Sequence, residues 1–210
     1  MVVFAACRTA DADDTSRTLV YQFTLLDRGQ SASTDGRVTA VIQEQDGIRT
    51  IDVTEVVDRA ARPEEAFTCT LKADVDNIEC SDKMAGTDES LTMVQFLNPA
   101  FYAPSRLDAN DRWHAEMLFQ DATIKGDFTV TGRRGDLVTI AAHDEERSTK
   151  YAFYRGWETG TLVYDTVARV PQSIDLQTAT VLGRNEGETR LTLDLISDST
   201  SSRPKAAPLP

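Results

Sequence analysis

Between Leu162 and Leu195 the apolar side chains fall on every second residue, and that period constrains the fold more than any other feature of the chain. Leu162, Tyr164, Thr166, Ala168 and Val170 alternate with Val163, Asp165, Val167 and Arg169; Ile174, Leu176, Thr178, Thr180 and Leu182 repeat the pattern, as do Leu191, Leu193 and Leu195. A helix would scatter those last three leucines over different faces, whereas a strand puts them on one. The separators are short: Pro171-Gln172-Ser173, where proline has no N–H for a ladder, and Gly183 to Gly187, with a glycine at each end. Parallel strands need longer crossovers, so the stretch reads as an antiparallel meander.

The rest of the chain extends the same sheet. Leu19, Tyr21, Phe23 and Leu25 form one alternating run, and Val38, Ala40 and Ile42 begin another. Asp46-Gly47 predicts a hairpin into Ile48–Val57. Trp113, Ala115, Met117 and Phe119 alternate, and Gly132-Arg133-Arg134-Gly135 predicts a turn into Leu137–Ala141. His143 to Lys150 reads as a charged loop, and Gly156 to Gly160 as a turn. The predicted fold is mainly β: a curved antiparallel sheet, half-barrel or sandwich-like, of about nine or ten strands with one short helical insert.

That insert lies in residues 81–112, where the β rhythm breaks. Thr87-Asp88-Glu89-Ser90 suits a helix start, Leu91, Val94 and Leu97 share a face, and Asn98-Pro99 ends it. So many large apolar groups must cover something, and packing on one face of the sheet is expected. Residues 18–196 are expected to form a single domain, residues 1–17 a flexible, acidic arm, and residues 197–210 a disordered Pro/Ser tail. The net charge of −12 argues against nucleic acid and against a basic face for anionic lipid.

Phe4-Ala5-Ala6-Cys7 resembles the end of a bacterial lipoprotein signal, in which a bulky apolar residue and two small ones precede the lipidated cysteine. The resemblance covers the first seven residues. It implies export, a periplasmic, cell-surface or secreted location, and a membrane link only through lipid on Cys7. The remaining cysteines fit that setting. A turn centred on Asp74-Val75 pairs Leu71 with Ile78 and sets Cys69 opposite Cys80, within disulfide range.

No motif for catalysis stands out, so an enzyme is not expected. His114 and His143 belong to no nucleophile or base motif, and neither the cysteine spacing nor the aspartates of Asp74–Glu79 match a metal site. No metal and no cofactor are expected. Phe96, Phe101, Tyr102 and Trp113 cluster around the insert and are the candidate lining of an apolar pocket.

The first expectation for function is a non-enzymatic exported protein that binds an apolar or lipid-like ligand under residues 84–112. Envelope lipoproteins of the lipid-carrier type share that general plan, an analogy of fold alone. The alternative is an envelope interaction or scaffold module working through loops or a sheet edge with a protein partner. A hydrolase without a recognisable motif ranks third.

Overall fold

The computed structural model describes residues 15–202 apart from 46–47, 59–64, 73–76, 82–87, 99–106, 108–110, 120–121, 149–153 and 183–184. The strands are β1 (Thr15–Asp27), β2 (Thr34–Gln45), β3 (Ile48–Val57), β4 (Glu65–Lys72), β5 (Asn77–Cys80), β6 (Arg112–Phe119), β7 (Ala122–Arg134), β8 (Leu137–Ser148), β9 (Tyr154–Asp165), β10 (Val170–Leu182) and β11 (Asn185–Ser202). One helix, α1 (Asp88–Phe96), stands between β5 and β6. Each strand pairs with its neighbours in sequence, and β1 also pairs with β11, which closes the sheet into a barrel.

Closure with this number of strands has a topological consequence. In a meander of eleven antiparallel strands the first and last would run the same way, yet β1 and β11 are antiparallel. One pair must therefore be parallel, and it is β5/β6, held by the two rungs Asn77↔Leu118 and Ile78↔Phe119. A parallel connection needs a long crossover, usually helical. Residues 81–111 supply it, and α1 lies on it.

Every strand turns its alternate apolar positions inward. Leu19, Tyr21 and Phe23 of β1 and Leu191 and Leu193 of β11 are buried, as are Ile140 and Leu162. Three register shifts, at Val20/Tyr21, Val130/Gly132 and Pro171/Ser173, let long strands bend round the barrel. The buried Tyr21 hydroxyl donates to the Pro171 carbonyl at 2.8 Å, and Arg17 joins Asp198 across the closing β1/β11 seam at 2.5 Å. That pair is partly exposed and adds little stability; the hydrogen bond between the two side chains, and then their opposite charges, raise the arginine and lower the aspartate pKa.

The sheet is more continuous than the residue pattern suggests. Residues 143–148, expected in a loop, complete β8, because its ladder with β7 continues to Ala122↔Ser148. Gly156 and Gly160, expected in a turn, lie inside β9. The turn expected at Pro171 falls instead at 166–169, where the Asp165 carboxylate accepts from the Val167 and Ala168 N–H groups and Arg169 takes a φ of 58°. Of the residues assigned to arm and tail, Thr15–Arg17 pair with Thr200–Ser202, and Ser197–Ser199 pair with Thr18–Val20, as the last rungs of β1/β11.

Cys69 and Cys80 face each other in the β4/β5 register and are bridged. β5 has three rungs with β4 and two with β6, so the crosslink is what fastens the short strand to the body. Replacing both cysteines by alanine is expected to cost roughly 2–3 kcal/mol on the loop-entropy estimate. The drop in urea midpoint, with an unchanged slope, checks it.

Candidate binding site in the barrel lumen

A barrel of eight strands is just wide enough to be filled by its own side chains, and a wider one leaves room inside. Here α1 fills part of that room. Met93, Val94, Phe96 and Leu97 are buried, and so are the polar Ser90, Thr92, Gln95 and Asn98. A helix resting on the outside of a sheet would keep one polar face in water. This one is enclosed, packed on the inner face of a sheet that curves all the way round it.

Its polar groups find partners all round the wall. Gln95 Nε2 donates to Asp144 Oδ2 of β8 at 3.2 Å, and Thr92 Oγ1 to Glu158 Oε1 of β9 at 3.4 Å. Asn98 Nδ2 lies 3.3 Å from Met117 Sδ of β6. Arg49 of β3 donates to the Leu97 carbonyl at 3.1 Å, satisfying a carbonyl that the helix end leaves open. Partners on β3, β6, β8 and β9 place the end of α1 in the lumen.

Asp144 is the unusual member. It is 2% exposed, and its Oδ1 has no hydrogen-bond partner. Opposite it, Gly126 has no side chain; a Cβ there would collide with the Asp144 carboxyl and the Phe128 ring. Burial first, then the charges of Glu158 and Asp127, push its pKa well above the ordinary carboxylate range. The fold thus favours the neutral acid, so Asp144's contribution is full below about pH 4 and is lost as pH rises through the native pKa. Asp144→Asn is therefore expected to leave stability at pH 4 nearly unchanged and to raise it at pH 8. Urea unfolding at the two pH values checks the sign.

A cavity of about 130 Å³ remains between α1 and the wall formed by β7 to β10. Thr92 and Gln95 of α1 face Glu146, Glu158, Thr178 and Thr180 across it, with Ile124 as apolar wall. Thr178 also hydrogen-bonds to Thr189 of β11. The opposite part of the lumen is lined mostly by apolar side chains, with Arg49 and the buried Glu55 of β3 among them; burial raises the pKa values of Tyr21 and Tyr164, that of Tyr164 to about 12.

Of the four aromatic candidates, Phe96 is fully buried in the lumen. Trp113 is part-buried and stacks on Phe128, with centroids 5.2 Å apart and planes at 15°. Phe101 and Tyr102 lie outside the described residues, as does Cys7. Leu107 is buried, and Arg133 of the expected polar turn donates to its carbonyl at 2.5 Å. His114 sits on the outer face beside Asp127 at 3.1 Å, and His143 beside Thr159 at 2.9 Å. Among the described residues, no group of three or more His, Cys, Asp or Glu could hold a metal ion, and no helix is long and apolar enough to cross a membrane.

Sequence reasoning missed Gln95, Asp144, Glu146 and Glu158. Asp144 continues the inward series Ile140, Ala142 on β8, so extending the period of two through the acidic run would have found it.

No family model matches the sequence, and no curated protein matches it. Among solved structures, the chain is similar to lipovitellin in a structure entitled "Lipid-protein interactions in lipovitellin", with a TM-score of 0.51 and 9% identity. The match covers 94% of this chain and 26% of that one, so the chain spans about a quarter of the lipovitellin chain. At that identity the likeness is one of fold. The class defined by fold and site is a closed antiparallel β-barrel whose lumen holds a helix from its own crossover.

Proposed function

We propose that this protein is a non-enzymatic binder of an apolar, lipid-like ligand, which occupies the lumen in the place of α1. The observation that carries the reading is that the strands' inward side chains leave room in the lumen which a helix on a separate crossover fills in part. The remaining 130 Å³ is too small for an acyl chain, so the ligand takes helix space. The wall it would meet is the inward apolar series of β1, β10 and β11. Several of α1's anchors are single polar contacts of 3.1–3.4 Å, which a ligand burying more apolar surface can outweigh. The lipovitellin structure, whose title concerns lipid–protein interactions, supports a barrel of this kind as a lipid site.

The location we propose is outside the cytoplasm, with lipid on Cys7 as the membrane link. The Cys69–Cys80 bridge supports an oxidising compartment, and Phe4-Ala5-Ala6-Cys7 supports export. Native mass spectrometry of protein purified without detergent from an exporting bacterial host tests the ligand. A non-covalent apolar adduct that leaves on denaturation is expected. Protein that stays at its bare mass, and takes up no long-chain alcohol when offered one, overturns the reading.

A further inference from the structure

Asp144 is a carboxyl placed where α1 meets the wall of the barrel. Its Oδ2 accepts from Gln95 Nε2 of the helix, its Oδ1 has no partner, and the residue is buried. Its surroundings offer an anion very little. In register it faces Glu158 across β8/β9 and Gly126 across β7/β8. Glu146 follows two residues later on the same face of β8, and the α1 side chains turned to this wall, Thr92 and Gln95, are neutral. Lys125, Arg147 and Arg155 of the same strands lie on the outer face, where Lys125 pairs with Glu116 and Arg147 with Glu145. The charges that reach Asp144 are those of Glu158 and of the outward Asp127, both negative.

A protonated Asp144 suits this place. An ionised one needs several donors or water, and Gln95 supplies a single neutral donor. Water reaches the carboxylate only if some element moves. Long ladders tie β7, β8 and β9 together. The polar ties of α1 to the wall are single hydrogen bonds at Thr92, Gln95 and the Leu97 carbonyl, so the helix yields before the sheet does. We propose that Asp144 is a pH-operated release for α1: while it keeps its proton the helix stays in the lumen, and loss of the proton drives the helix out and lets water and ligand in. One proton leaves per opening, so the open state gains up to about tenfold per pH unit once the native acid begins to ionise. For ligand uptake the inference rests on the reading that a ligand takes the place of α1; the helix movement itself does not.

The test is amide hydrogen exchange of the whole chain at about pH 5 and about pH 8, corrected for the intrinsic pH dependence of exchange, with a long-chain alcohol titrated calorimetrically at both. Protection of residues 88–98 is expected to fall by about tenfold or more at the higher pH while that of β10 and β11 holds. The alcohol should bind more tightly there, because the open state is already populated. Asp144→Asn should flatten the pH dependence of the helix. Glu158→Gln removes the negative charge opposite Asp144, so release should begin at lower pH, and this variant carries the test if Asp144→Asn does not fold. Helix protection that is equal at the two pH values, that falls as much in Asp144→Asn, or that falls only together with β10 and β11 overturns the release. Release as expected, with an alcohol that binds equally at both pH values or not at all, keeps the release and removes the reading that a ligand replaces α1.

Discussion

Replacing Gly160 by alanine is expected to destabilise the barrel by about 3 kcal/mol or more, at the upper end of what overpacking costs. The added Cβ would land on the Asp175 carbonyl oxygen and 2.9 Å from the Leu176 Cα, both backbone atoms of β10. A side chain in the way could rotate aside. These atoms can move only by displacing the ladder that runs from Val170↔Asp165 to Leu182↔Tyr154. Gly132→Ala is the control. Its Cβ would meet nothing nearer than Thr139 at 3.7 Å, so the change is expected to be neutral or slightly stabilising. Denaturant midpoints of the two variants, compared with the parent, decide the point.

Phe96→Ala is expected to cost about 3–5 kcal/mol, the usual range for emptying a fully buried phenylalanine site. Its second effect bears on function. Phe96 sits at the end of α1 in the lumen, so truncation creates an apolar void inside the barrel, and such voids stay dry and accept small apolar molecules. A saturating long-chain alcohol should therefore raise the thermal midpoint of the variant more than that of the parent, since ligand that binds only the folded state stabilises it by mass action. An equal shift in both would mean that the ligand does not enter the space beside Phe96.

How much of this was legible in the residues follows from which physical signal each element carries. The strands were readable because one face is buried: Leu191, Leu193 and Leu195 have no other arrangement that hides them together. The disulfide followed from the same register logic, with Cys69 opposite Cys80 once Leu71 faces Ile78. The helix was readable from its start in Thr87-Asp88-Glu89-Ser90 and its end at Asn98-Pro99, but its enclosure was not. Nothing in the residues marks Thr92, Gln95 and Asn98 as enclosed, and only the surrounding wall, with Asp144, Glu158 and Met117 on it, shows that they are satisfied inside.

Closure was hidden for a related reason. The β11 residues that seal it to β1 at one end, Ser197–Ser202, are Ser, Thr and Asp, which carry no apolar pattern, and their pairing depends on a partner far away in the chain. Glycine misled in two places. Gly156 and Gly160 look like turn residues, yet Gly160 is required by close backbone approach between β9 and β10. The acidic run Asp144-Glu145-Glu146 looked like a loop because burying a carboxylate is costly. Here the cost is met by shifting Asp144 toward its neutral form beside Gln95 and opposite Gly126.

The central claim is that an apolar ligand takes the place of α1 inside the barrel. Amide hydrogen exchange on the whole protein, with and without a saturating long-chain alcohol, tests it most directly. The account predicts that amides of residues 88–98 lose protection when the ligand is bound, while those of β10 and β11 keep theirs. Bound ligand with the protection of 88–98 unchanged or increased would contradict it, because the helix would still be filling the lumen.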